Sequence, residues 1–291
     1  MHLVLHIGAH GTDGGQIADW IAGNRGALNA QGICAPPPRL FLTRISEALD
    51  AGRDTDPQQR EETLLRGLGA SGEQRRMVVS APGLLGSTAD VLDADGFYVH
   101  DVSRRLYALH TLFPRTRLTV LMAVRTASGV IPMLLPDEPG AAEALLPLIP
   151  DDTLPWSRLG AAIRRHLPRA ALVAWRHEDL GTVWPRVLGQ VVGPDAVLPP
   201  NGLLDFALNG LSAEARLRAQ RYLTGKPLVS TAQLRHVAHA FAERFGRAPV
   251  ADLTAPLPGW VRNRLAELDA GYTTEWADLA GLDGVQVLMP R

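Results

Sequence analysis

The chain has 291 residues, 46 % apolar and 5 % aromatic, which is ample to bury one or two cores without disulfides. A formal net charge of −1 excludes the broad basic excess of a general nucleic-acid binder, and 28 Gly and 22 Pro scattered along the chain exclude collagen-like repeats. Cys34 is the single cysteine, which excludes a disulfide framework or a Cys-rich zinc site.

The opening Met1–Ile7 is too short in its apolar part, and lacks the basic flank, to act as a signal peptide. No run of about 18 apolar residues follows, so the expectation is a soluble cytoplasmic protein with no membrane partner. Leu3–Ile7, Met77–Ser80, Leu118–Val124 and Ala171–Trp175 are strand-length and continuously apolar, which suits strands buried on both faces. Helical spacing separates them: Ile17, Trp20, Ile21 and Leu28 after the first, Val102, Leu106, Leu109 and Phe113 before the third. This alternation predicts an α/β fold, a parallel sheet flanked by helices, with the four runs as neighbours. Pro36–Pro38 ends the first helix–loop unit, and residues 132–150, with five prolines, predict a broken apolar segment. Pro194–Gly202 predicts a boundary, with an α/β core over 1–193 and a helical C-terminal subdomain over 194–291. In that subdomain Leu211, Ala215 and Tyr222 share one helical face, and Leu234, Val237, Phe241 and Phe245 another.

The first strand runs into Gly8-Ala9-His10-Gly11-Thr12-Asp13-Gly14-Gly15 and then a helix from about Gln16. Strand, glycine-rich turn and helix form the arrangement that cradles phosphate, because turn amides and the helix N-terminus point at the anion. The strict phosphate-loop ending Gly-Lys-Ser/Thr is absent, and the spacing alone favours an ordinary turn capped by Asp13.

The segment His6–Gly15 resembles the opening of a bacterial PAPS-dependent sulfotransferase family, His-Ile-Gly-x-His-Lys-Thr-Gly-Thr-Thr/Ser. Val78-Val79-Ser80 resembles the family's second strand, Leu118–Arg125 its third, and Ala171–Leu180, with His177-Glu178-Asp179-Leu180, a later strand ending Tyr-Glu-Asp-Leu. Leu268–Pro290 resembles its closing segment. The resemblance implies a phosphate-loop nucleotide-binding fold that holds the 5′-phosphosulfate of 3′-phosphoadenosine-5′-phosphosulfate (PAPS) on Gly8, His10, Gly11, Thr12, Gly14 and Gly15, and its 3′-phosphate on Arg125. It also implies a hydroxyl acceptor, with His10 to position it or take its proton, and no metal.

The departures fall on the chemistry. Gly11 replaces the family's lysine, Asp13 its glycine, Gly14 and Gly15 its hydroxyl residues, and Pro82 a glutamate. Near Met133 the family has a serine, about eight residues beyond the arginine. The single lysine of the chain, Lys226, lies far along the sequence in the helical part. Losing one preorganised donor typically costs about 10²–10³ in rate, and Asp13 sets a negative charge beside a polyanion. The expectation is an anionic-nucleotide protein with weak or lost sulfuryl transfer; the alternative is a non-catalytic homologue serving as a binding or scaffold protein.

Other residues have two readings each. Arg125 is a phosphate clamp or a partner of Glu178 or Asp179. Glu178 and Asp179 serve acid–base chemistry or cap the next helix. His100-Asp101 form an N-cap pair. His236 and His239 lie three apart without a third ligand in the sequence, which favours a solvated face.

Overall fold

The computed structural model describes all residues except 51–55, 94–95, 100, 136–137, 139, 150–152, 200, 204–207, 209, 226–230, 248–251 and 291. Lys226 and His100 fall outside this set, as does the side chain of Leu234.

Strands β1 (His2–His6), β2 (Ile33–Cys34), β3 (Arg76–Ser80), β6 (Arg117–Val124), β7 (Ala171–Arg176) and β8 (Val285–Val287) form one sheet in the order β2-β3-β1-β6-β7-β8. Every neighbouring pair is parallel. The four apolar runs are therefore adjacent central strands, as their continuity predicts. A small antiparallel hairpin, β4 (Leu92–Asp93) with β5 (Gly96–Phe97), stands apart.

Period-two geometry divides the strand side chains between two faces. Leu3, Leu5, Met77, Val79, Val120 and Met122 belong to the main core cluster, together with residues from helices Pro38–Asp50, Val102–Leu112 and Trp156–His166. Val4, Val78, Leu121, Val173 and Trp175 on the opposite face are equally buried. Helix Trp156–His166 buries Trp156, Leu159, Gly160 and Ile163, the helical i, i+3, i+4, i+7 stripe. Ile17, Trp20, Ile21 and Leu28 are all buried, but Asn24 divides them between helices Gln16–Gly23 and Arg25–Asn29.

Two expectations are corrected. The chain divides into one compact unit of Met1–His177 with Leu253–Val287, and another of Glu178–Asp252 with Leu288–Arg291, rather than at residue 193. The physical reason is that β8 hydrogen-bonds to β7, and helix Tyr272–Gly281 packs on helix Trp156–His166, so the late segment completes the first unit. The proline-rich segment 132–150 is interrupted as its prolines predict: helix Ala127–Leu134, which contains Pro132, ends within it, and a short helix Ala141–Leu145 and a 3-10 turn Leu146–Leu148 follow. Finally, Leu211 and Ala215 are buried with Ala219 and Ala242 in the second unit's own small core, but Tyr222 is 41 % exposed. Among the described residues no helix is long and apolar enough to cross a membrane.

Candidate functional site

In open parallel sheets ligands bind beyond the C-terminal strand edge, where successive connections diverge. Here that point lies at β1, which has β3 on one side and β6 on the other. Ladder pairing continues one step past β1: the Ala123 amide donates to the Gly8 carbonyl at 2.7 Å and the Ala9 amide to the Ala123 carbonyl at 3.1 Å. The glycine loop thus leaves the sheet directly beside the end of β6, where Arg125 begins. Gly8, Gly11, Gly14 and Gly15 all have positive φ, a region that side chains with a Cβ enter at a cost.

Arg125 reaches the loop from the end of β6. Its Nη1 donates to the Gly11 carbonyl at 2.6 Å and lies 3.2 Å from the Met133 sulfur. Gly129 makes room for this path, because a Cβ there would stand 2.5 Å from the arginine Nε. The Arg125 carbonyl accepts from the indole Nε1 of Trp156 at 3.0 Å. Met133 also packs over Gly11, so a Cβ at Gly11 would stand 3.2 Å from its sulfur. Gly11 and Met133 are thus two sides of one contact.

Asp13 is buried at 6 % exposure, and its carboxylate turns into the loop. It accepts from the Gly15 amide at 3.2 Å and the Ile17 amide at 2.9 Å. Those amides open helix Gln16–Gly23, where a bound anion would otherwise sit. Asp13 is not itself the N-cap, which is Gly15, but its carboxylate reaches the amides at the helix start from two residues earlier. Thr12 is fully buried and its hydroxyl donates to the Ala9 carbonyl at 2.6 Å, inside the loop. Gly14 and Gly15 form an exposed tip with open space around them.

His10 stands at the other side of the loop. Its amide donates to the Tyr98 hydroxyl at 2.9 Å, and its Nδ1 lies 2.8 Å from the same oxygen. Burial lowers its pKa, opposed by the Gly86 backbone and Asp90. Burial pushes the Tyr98 phenol upward, so it stays protonated. His10 and Arg125 thus flank one loop, but His10 is held by the hairpin region.

The sequence reading missed two histidines at this edge. His6 is buried, places Nδ1 2.8 Å from the Ser80 hydroxyl, and stacks on Trp175 at 5.9 Å. His177, which replaces the resembling family's tyrosine, follows β7 and leaves Nδ1 buried without a hydrogen-bond partner. Burial first, then the Arg125 charge, lowers His177 to about 4, against the pull of Asp13. Burial also lowers His6, again opposed by Asp13. The signal available in sequence was positional: each histidine ends or directly follows a buried strand.

The remaining candidates play local parts. Asp101 pairs with Arg104 rather than capping helix Val102–Leu112. Asp179 stands at the N-cap of helix Leu180–Val192 without a side-chain cap bond. Three residues beyond Arg125, the Ser128 amide donates to Asp269 at 3.1 Å and its hydroxyl bonds the same carboxylate. His239 pairs with Glu243, and no group of three metal-ligating side chains occurs among the described residues.

The buried histidines set a pH dependence. His2 is lowered to about 4 by burial and by Arg76 and Arg117, and His177 to about 4 as above. Unfolded histidine titrates near 6.5, so between about 4 and 6.5 the unfolded chain binds more protons and stability rises with pH. The expected result is a lower urea midpoint at pH 5 than at pH 7.5, with a shallower fall in the His177→Gln variant. A flat midpoint across that window would contradict neutral, buried histidines.

No protein-family model, curated protein or solved structure matches the chain. The loop's donors can still be tested against the phosphosulfate group that the resemblance implies. Two first-turn amides are taken by Asp13, one Arg125 nitrogen by Gly11, and no lysine stands at position 11. The residues present do not fit that group as they stand.

Proposed function

We propose that the protein is a non-catalytic sulfotransferase-like binding or scaffold protein, in which the nucleotide cradle has been closed by the chain's own side chains. The observation that carries this reading is the Asp13 carboxylate on the Gly15 and Ile17 amides. It supplies internally the negative charge that a phosphate would bring, and an incoming anion would have to displace it. Met133 against Gly11 and Arg125 adds a second obstruction.

The second reading keeps weak binding of PAPS or a related anionic nucleotide, with sulfuryl transfer to a hydroxyl acceptor near His10. The reach of Arg125 to the loop favours it, as do the exposed glycines at the tip.

Calorimetric titration with PAPS and with 3′-phosphoadenosine-5′-phosphate separates the two. Wild-type protein is expected to show no saturable binding of either. In the triple variant Gly11→Lys, Asp13→Gly, Met133→Ser, a point charge returns, a repulsive carboxylate leaves, and the lysine stem gains room. Charge-assisted contacts contribute about 1.5–3 kcal/mol each, so affinity is expected to rise at least about tenfold, less at high salt. The left-handed backbone at Gly11 offsets part of this, at about 1–2 kcal/mol for a residue with a Cβ. Loss of the Asp13 cap is expected to lower stability by about 0.5–2 kcal/mol. Tight binding and turnover by the wild type would refute the proposal. A folded triple variant with no gain would show that the loop is not a nucleotide cradle.

A further inference from the structure

A cavity of about 270 Å³ opens at the N-terminal edge of the sheet, across the molecule's first unit from the glycine loop. It lies between the start of β6 and the turn before β7. Phe113, Leu118 and Leu167 are buried and form its apolar floor. Arg115, Arg117 and Arg169 stand exposed around it, with half-buried His110 beside them.

The three arginines are not equivalent. Arg115 is held by Glu61 and Glu62, whose two carboxylates more than offset its single charge. Arg117 and Arg169 have no carboxylate within ion-pair distance among the described residues, and Arg169 is oriented by donating to the Pro114 carbonyl at 2.8 Å. His2 pairs in register with Arg76 on one side and Arg117 on the other. Burial first, then the charges of Arg76 and Arg117, lowers the His2 imidazole to about 4. The carbonyl end of helix Val102–Leu112 also reaches the cavity and opposes an anion. Two guanidinium groups without carboxylates outweigh these partial charges.

We propose that this cavity binds a small organic anion: a carboxylate or phosphate head at Arg117 and Arg169, on a compact apolar body that covers Phe113, Leu118 and Leu167. Its 270 Å³ falls just below the about 300–1,000 Å³ usual for small-molecule sites, which selects single-ring or short branched bodies over nucleotides. The mixed lining explains why both halves are needed. Guanidinium alone in water holds a lone anion weakly, while an apolar floor alone does not select charge. The proposal is independent of the reading of the glycine loop, since no residue is shared between the two places.

The test uses the full chain at low salt with four probes: phenyl phosphate, benzoate, inorganic phosphate and benzyl alcohol. Saturable binding of phenyl phosphate or benzoate, with shifts of the backbone amides of 110–118 and 167–170, supports the proposal, and whichever anion binds more tightly identifies the head group. Arg117→Gln or Arg169→Gln is expected to weaken it about tenfold or more, as for loss of one charge-assisted contact. Both positions are exposed, so the fold tolerates the changes. Inorganic phosphate binding as tightly as phenyl phosphate would overturn the apolar half, and benzyl alcohol binding as tightly would overturn the anionic half. Absence of shifts in those amides with the wild-type chain would overturn the site outright.

Discussion

Replacing Trp156 by alanine is expected to destabilise the first unit by about 3–5 kcal/mol, the usual cost of emptying a buried tryptophan site. The indole is fully buried, meets the Phe97 ring edge-on at 5.0 Å, and lies 6.1 Å from the Tyr98 ring. Its Nε1 donates to the carbonyl of Arg125. One side chain therefore joins helix Trp156–His166, the hairpin that holds His10, and the residue that crosses to the glycine loop. At about 2–4 °C per kcal/mol, the melting temperature should fall by about 6–20 °C. Trp156→Phe separates packing from hydrogen bonding. It keeps an aromatic ring and removes the indole donor from the half-buried Arg125 carbonyl, at up to about 1–3 kcal/mol. Urea denaturation checks both: a loss below about 1 kcal/mol for alanine would refute the packing argument, and a phenylalanine variant equal to wild type would refute the hydrogen bond.

The second large effect is expected at Glu61, a carboxylate 1 % exposed on helix Pro57–Gly67. It accepts from the backbone amides of Arg115 at 3.2 Å and Thr116 at 2.8 Å, just ahead of β6. The contact ties that helix to the start of a central strand. Glu61→Leu preserves apolar volume and leaves both amides unpaired, at about 1–3 kcal/mol for each buried donor. Glu61→Gln keeps an acceptor oxygen and should lose less. Hydrogen exchange at Thr116 gives the local readout: accelerated exchange in the leucine variant is expected, and unchanged exchange would show that the amide is protected by burial alone. The arginine's exposed guanidinium is expected to add little, since its ion pairs are screened.

Much of the fold was legible in the chain because burial on both faces writes itself locally. Strands such as Leu118–Val124 must be continuously apolar, and helices such as Val102–Leu112 must repeat every three to four residues, whatever their neighbours are. The α/β class, the four central strands and the placing of the glycine loop beside a strand end all follow from such local patterns. Short edge strands carry no comparable signal. Ile33–Cys34 and Val285–Val287 are two and three residues long, and only tertiary contacts, the pairing of β8 with β7 and of helix Tyr272–Gly281 with helix Trp156–His166, assign the chain's late segment to the first unit. The loop's chemistry was likewise undetermined by residue type. A carboxylate after a glycine turn either repels an incoming anion or replaces it, and the direction of one side chain chooses between them. The tertiary structure turns Asp13 inward onto two amides. It brings Met133 against Gly11 although 122 positions separate them in the sequence. It also gathers Arg117 and Arg169, which sequence alone leaves as ordinary surface charges, around one cavity. Such choices are non-local, because they depend on which strands become neighbours and not on which residues adjoin them in the chain.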